Sequence, residues 1–175
     1  LEEMFGGVIT GMAYAYGAYN DSVVDVLKMC GIEYARTINA TESFEIPTDW
    51  LRMPATCHHN NPRLMELAKE FVESENDSSS WVRKRPKLFY LWGHSYEFEE
   101  NNNWEVIEEF VELMANREDI WYATNIEIYD YQEAFHRLLF SMDGTIVTNP
   151  TAYELWFFLN GQEYSIKPGE TLHLS

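Results

Sequence analysis

The stretch over residues 8–38 constrains the fold more than any other part of the chain. Residues 8–16 are apolar and β-prone and stop at Gly17, which reads as a buried strand leading into a turn. Asn20 or Asp21 can then cap a helix with Val23, Val24, Val26 and Leu27 on its apolar side, and Cys30-Gly31 can close it. Residues 32–38 return as a strand, so the segment is a strand-helix-strand unit of the kind that builds parallel sheets.

The same pattern continues beyond Pro47 and Pro54. Residues 55–59 read as a short strand or extended loop, and Pro62 opens a helix with Leu64, Leu67, Ala68, Phe71 and Val72 at helical spacing. Residues 74–80 are polar and low in complexity, as in a surface loop open to insertion or nicking. Residues 87–92 form the next expected strand, which delivers Gly93-His94-Ser95 at its end. A helix follows, capped by Asn103 and turning Val106, Ile107, Phe110, Val111 and Met114 inward, and residues 120–124 are read as a further strand.

Residues 126–140 are expected to form a last amphipathic helix. Beyond it the pattern changes to short strands at 145–147, 153–159, 164–166 and 171–174, divided by Asn160-Gly161 and Pro168-Gly169 turns. No internal repeat is visible. The expected architecture is α/β: a parallel body over residues 1–140 and a small antiparallel β extension over 141–175.

Charge and composition narrow the partners. With 29 acidic residues against 12 basic ones the net charge is −17, which repels a phosphate backbone or an anionic membrane over most of the surface. Nucleic acid is therefore not expected, whereas a neutral glycan or one bearing free amines suits such a surface. The longest apolar run falls well short of the ~20 residues of a membrane-spanning helix, so a soluble chain is expected. Neither Cys30 nor Cys57 belongs to a CxxC motif, and both read as buried thiols. Leu1 followed by Glu2-Glu3-Met4-Phe5 reads as the end of a helix already under way, so the native start is expected to be missing and the compartment stays open.

Ligands of parallel α/β sheets gather at the carboxyl ends of the strands, where loops can carry polar groups without disturbing the core. That rule selects residues 16–20, 93–97 and 125–127. His94 stands out, because an imidazole titrates near neutrality and can hand a proton to a leaving amine, although a strand-end histidine bonded to a neighbouring carbonyl is the plainer alternative. His58-His59 invites a metal reading, but neighbours on a strand face opposite ways and no HxxxH or HExxH pattern is present; turn-forming or substrate-lining roles rank higher. Asp49-Trp50 can meet a sugar ring or form a buried indole with a capping aspartate. Glu97, Glu99 and Glu100 read as a solvated charge run, and His136 and His173 as structural. No GxSxG elbow is present, and Cys57 lacks the surroundings of an activated thiol.

The run Gly11-Met12-Ala13-Tyr14-Ala15-Tyr16-Gly17-Ala18-Tyr19-Asn20, the helix after it and Gly31-Ile32-Glu33-Tyr34-Ala35-Arg36-Thr37 resemble the third motif and following unit of the polysaccharide deacetylases, the NodB-homology domains. Leu91-Trp92-Gly93-His94-Ser95 is similar to the fifth motif of that family, and Asp49-Trp50 to the end of the fourth. The resemblance implies a distorted (β/α) barrel, present here in part, and removal of acetyl groups from a carbohydrate by metal-assisted hydrolysis. It implies His94 as general acid and the Tyr16 amide as oxyanion donor, with Tyr19, Asp49, Trp50, Trp92 and His58 lining the substrate groove.

The family's Thr-Phe-Asp-Asp-Gly and His-Ser/Thr-x-x-His motifs are absent, Ala13 stands where an arginine is usual, and Ala15 stands where a proline is usual. The resemblance therefore implies a divalent metal such as zinc for a full-length protein, and none held by this chain, which alone is expected to be inactive. Exposed sheet edge and barrel lining would favour a homo-oligomer or association with a missing amino-terminal part. A non-catalytic carbohydrate-binding or interaction protein on the same fold is the alternative.

Overall fold

The structure is a computed structural model that describes residues 1–74 and 85–174, so most of the polar loop expected at 74–80 lies outside the described residues. It divides into two compact units, residues 1–74 with 85–122, and residues 123–174.

The first unit opens with a single helical turn, α1 (Glu2–Phe5), ended by Gly6 at φ 68°. Strand β1 (Gly11–Ala13) follows, then a tight turn, then α2 (Asp21–Met29). Of the two expected caps Asn20 is the one used: its Oδ1 accepts the Val23 N–H at 2.9 Å. Strand β2 (Tyr34–Ala40) lies parallel to β1, with Gly11 opposite Tyr34, and β3 (Met53–Ala55) lies parallel to β2 on its other side.

Strand alternation on β2 decides which side chains go inside. Ala35 and Thr37 are buried, while Tyr34 and Arg36 lie on the other face of the pleat. Tyr14, Val24, Ala35 and Leu51 form the core here, and the Tyr14 hydroxyl donates to the Leu51 carbonyl at 2.7 Å.

Strand β4 (Cys57–His58) continues from β3 after one residue and lies parallel to β5 (Leu91–Trp92). Thr56 joins the two ladders, since its carbonyl accepts the Glu42 N–H at 2.9 Å and its N–H donates to the Tyr90 carbonyl at 2.9 Å. A three-stranded parallel sheet, β1-β2-β3, and a two-stranded parallel sheet, β4-β5, are thus linked through Thr56, and no barrel closes among the described residues.

Helix α3 (Leu64–Glu73) starts two residues after Pro62, α4 (Tyr96–Asn101) follows β5, and α5 (Trp104–Met114) comes next. Leu64, Leu67 and Ala68 of α3 pack with Phe110 and Met114 of α5 around Cys57. Burial pushes the Cys57 thiol up to about 11, with the Glu42 charge adding to the effect. Cys30 differs from its expectation, being exposed at the end of α2. Asn103 occupies the capping position of α5 without a capping bond, and its Oδ1 is buried with no partner among the described residues.

The second unit differs from the expected boundary at 140. Helix α6 (Asn125–His136) belongs to it, because Ala134 packs with Leu138, Val147, Leu155, Phe157 and Ile166. Residues 120–124 form no strand: Thr124 is spent on a capping box with Glu127, and the Tyr122 hydroxyl is tied to the Met114 carbonyl. The third candidate loop is accordingly the start of α6. Residues 139–140 leave the helix to form β6 (Leu139–Phe140), antiparallel to β7 (Ile146–Thr148).

Strands β8 (Leu155–Leu159) and β9 (Gln162–Ile166) form a hairpin whose Asn160 and Gly161 take φ 53° and 82°, the left-handed pair that a two-residue turn demands. Strand β10 (Thr171–His173) completes the sheet beside β7. Asn149, fully buried, satisfies its amide by donating to the carbonyls of Tyr153 and Ile166 and accepting from Thr151.

Two outcomes test these assignments. Leu67→Ala removes a side chain 1% exposed in the first unit and should lower stability by about 2–5 kcal/mol in urea unfolding, against less than about 0.5 kcal/mol for Val26→Ala on the 50% exposed face of α2. Asp143 accepts from the Ser141 hydroxyl, the Thr145 N–H and the Thr145 hydroxyl, which holds its pKa at about 2 rather than 3.8. Its contribution to stability is then complete above the unfolded value and disappears as pH falls towards the folded one. Thermal unfolding of Asp143→Ala should consequently fall less steeply than wild type as pH drops from 4 to 2.

Candidate functional site

The parallel pairing of β4 with β5 places His58 opposite Trp92. Both side chains emerge on one face, and the rings meet edge to face at 4.4 Å. Strand β4 ends at His58 and the chain turns, the Asn61 N–H donating to the His58 carbonyl at 2.9 Å. His59 is therefore released from strand alternation, and its ring lies 4.4 Å from that of His58 instead of on the opposite face. This corrects the expectation that only one of the two histidines could face a given site.

After β5, Gly93 lets the backbone pass against the His59 ring, where a Cβ would overlap the imidazole. His94 follows with its side chain 52% exposed, and three residues later, in the first turn of α4, comes Glu97. Its carboxylate is the centre of the cluster. Oε2 lies 2.5 Å from His59 Nε2, 3.4 Å from His58 Nε2 and 3.3 Å from the His94 amide, while Oε1 lies 3.5 Å from His94 Nδ1. Burial raises the Glu97 pKa, but the His59 bond, the His94 amide and the neighbouring imidazoles together outweigh it and leave the carboxyl below its ordinary range.

The His58 pKa also lies below that of a free imidazole. Burial lowers its pKa first, and the neighbouring His59 adds to this, against the pull of Glu97. The Asn60 N–H donates to His58 Nδ1 at 3.1 Å, which assigns the proton of neutral His58 to Nε2, facing Glu97. His59 is 3% exposed, tilted against Phe98 at 4.2 Å, and its Nδ1 has no partner among the described residues. Trp92 carries the Arg36 guanidinium over its ring at 4.6 Å.

The other candidate residues lie apart from this cluster. Tyr16 follows β1 in a left-handed conformation, φ 55° and ψ 18°, and is fully exposed. That backbone region is uncommon for tyrosine and recurs where a turn must present a group to a ligand. The amides after it are used within the turn, Gly17 to the Tyr14 carbonyl at 3.0 Å and Ala18 to the Ala15 carbonyl at 3.1 Å, whereas no acceptor is paired with the Tyr16 amide among the described residues. Tyr19 is half-buried and stacks on Tyr14 at 4.6 Å, so its ring is largely committed to packing.

Asp49 and Trp50 precede β3 rather than follow a strand. Arg52 pairs with Asp49 at 2.7 Å and with Asp21 at 2.7 Å, so Asp49 is an ion-pair member that borders a cleft of about 320 Å³ together with Pro47, Arg52 and Tyr90. Trp50 is 8% exposed, which is the buried-indole alternative and leaves little ring face for a sugar.

Glu97, expected in a solvated charge run, and His59, weighed only together with His58, are both members of the cluster. The signal for Glu97 was its three-residue spacing from His94 at the start of a helix, which puts both side chains on one side of the first turn. No family model, curated protein or solved structure matches the chain.

The close approach at Gly93 yields a test. Gly93→Ala forces a methyl group into a buried imidazole that cannot swing out, and the thermal midpoint should fall by the equivalent of about 1–3 kcal/mol. Gly7→Ala, with open space around it, should change little.

Proposed function

We propose that this chain is the carboxyl-terminal part of a carbohydrate deacetylase, built on an incomplete (β/α) barrel and removing acetyl groups from a glycan. The observation that carries the reading is His94, an exposed imidazole on the loop after a parallel strand, with Nδ1 directed at the Glu97 carboxylate. When Nδ1–H is oriented by a carboxylate, Nε2 becomes the atom that exchanges a proton with a reacting group, here the leaving amine or alcohol of the sugar. The Tyr16 amide, without an acceptor among the described residues and also beyond the carboxyl end of a parallel strand, supplies a donor for the oxyanion of the tetrahedral intermediate. Exposed Tyr96 beside His94, their rings 5.3 Å apart, and the partly open face of Trp92 offer apolar surface to a pyranose ring.

A water-activating metal of the kind the family uses does not fit the residues present. Among the described residues the only His/Asp/Glu/Cys group with ligand spacing is His58, His94 and Glu97, and it contains the proton donor itself. A histidine whose lone pair is given to a metal cannot also cycle a proton to the leaving group, so no step is derived through that metal. On this reading its ligands and the base for the attacking water lie on another polypeptide segment. No described helix is long and apolar enough to cross a membrane.

Hydrolysis of N-acetylated chito-oligosaccharide, measured on the protein together with its upstream sequence, tests the reading. His94→Ala should reduce kcat by about 10²–10⁴-fold, the range for loss of a general acid, and residues 1–175 alone should show no turnover. Sugar affinity that survives His94→Ala in a protein with no hydrolytic activity would favour the non-catalytic glycan-binding alternative instead.

A further inference from the structure

The geometry points to a transition-metal site formed by His58 Nε2, His94 Nδ1 and the Glu97 carboxylate, of the class that binds zinc or cobalt. These donor atoms lie within 4.8 Å of one another; His58 Nε2 is 3.4 Å from Glu97 Oε2 and His94 Nδ1 is 3.5 Å from Glu97 Oε1. Ligands held at ~2.0–2.1 Å around a tetrahedral ion are separated by ~3.4 Å, which is close to the spacing of each imidazole nitrogen from its nearer carboxylate oxygen. The three residues come from the ends of two paired parallel strands and the first turn of a helix, so the backbone sets their spacing.

Supporting groups are present. His59, 3% exposed, holds Glu97 Oε2 from behind, and the His94 amide holds the same oxygen, which is how an outer shell orients a ligating carboxylate. The 52% exposure of the His94 side chain gives an ion a path from solvent and leaves room for water as fourth ligand. Two imidazoles and a single carboxylate select zinc, cobalt or nickel over magnesium and calcium, which require more oxygen ligands.

One local bond opposes the ion. A metal on His58 Nε2 transfers the ring proton to Nδ1, which now accepts the Asn60 N–H at 3.1 Å, so that bond must open. Its opening supplies a specific signature at the Asn60 amide. Metal binding at these residues requires no enzymatic activity. Its consequence does rest on the deacetylase reading: an ion here occupies the proton donor, making the site inhibitory and separate from any metal that activates water.

Titration of residues 1–175 with Zn²⁺, followed by ¹H–¹⁵N amide spectra, with Co²⁺ as a visible-absorption probe, tests the site. We expect saturable binding of a single ion, shifts at Asn60, His94 and Glu97, tetrahedral cobalt bands, and no response to Mg²⁺. His94→Ala, a change at an exposed ring that leaves the core intact, should weaken zinc at least about 10-fold, and Glu97→Gln should do the same. His136→Ala and His173→Ala, in the second unit, should leave it unchanged. Absence of saturable zinc binding, or affinity unaltered by His94→Ala, overturns the inference. Because no sugar enters the titration, either result leaves the hydrolysis experiment free to succeed or fail independently.

Discussion

The two-sided hydrogen bonding of Thr56 holds the functional half of the first unit together. Its carbonyl is bonded to Glu42, just beyond β2, and its amide to Tyr90, just before β5, so the two short ladders are linked. Strands of two or three residues are weak alone. Joined through Thr56, with α3 and α5 packed over Cys57, they fix where His58 and Trp92 emerge. Without that register the chain would still own its histidines, but they would not meet.

Glu97 then concentrates the polar side of the structure. A partly buried carboxylate is unfavourable unless donors surround it, and here a buried imidazole, a second imidazole and a backbone amide do so. The arrangement reconciles both proposed roles of His94. Its Nδ1 faces the Glu97 carboxylate, the orientation the proposed proton transfer requires, and the same carboxylate lies beside His58, the arrangement the proposed metal site requires. The two proposed uses exclude each other at any moment, so a bound ion would compete with proton transfer.

Much of the element order was legible from local pattern. The helix beginning after Asn20, the apolar stripe of α3 and the Asn160-Gly161 hairpin each depend on short-range rules of capping, period and turn geometry, and each stands where those rules put it. The failures came where a local preference met a competing use. Thr124 was needed as a cap, so residues 120–124 did not extend as a strand. Leu139 and Phe140 continued a helical pattern but paired with β7, because strand hydrogen bonds were available there. For Trp50 local pattern left a sugar contact and a buried indole both open, and the ring takes the interior, where its large apolar area is removed from water.

By itself the sequence determined the alternation of strands and helices, the acidic surface and the presentation of His94 beyond a strand, since all of these follow from composition and from neighbours a few residues apart. Tertiary structure alone decided that His58, His59, His94 and Glu97 form one cluster. Glu97 stands 38 residues from His59, and no local rule relates such positions; their meeting depends on β4 pairing with β5 and on the chain turning at the end of β4. That turn freed His59 from strand alternation, and the resulting buried imidazole converted an apparent surface glutamate into the centre of the site.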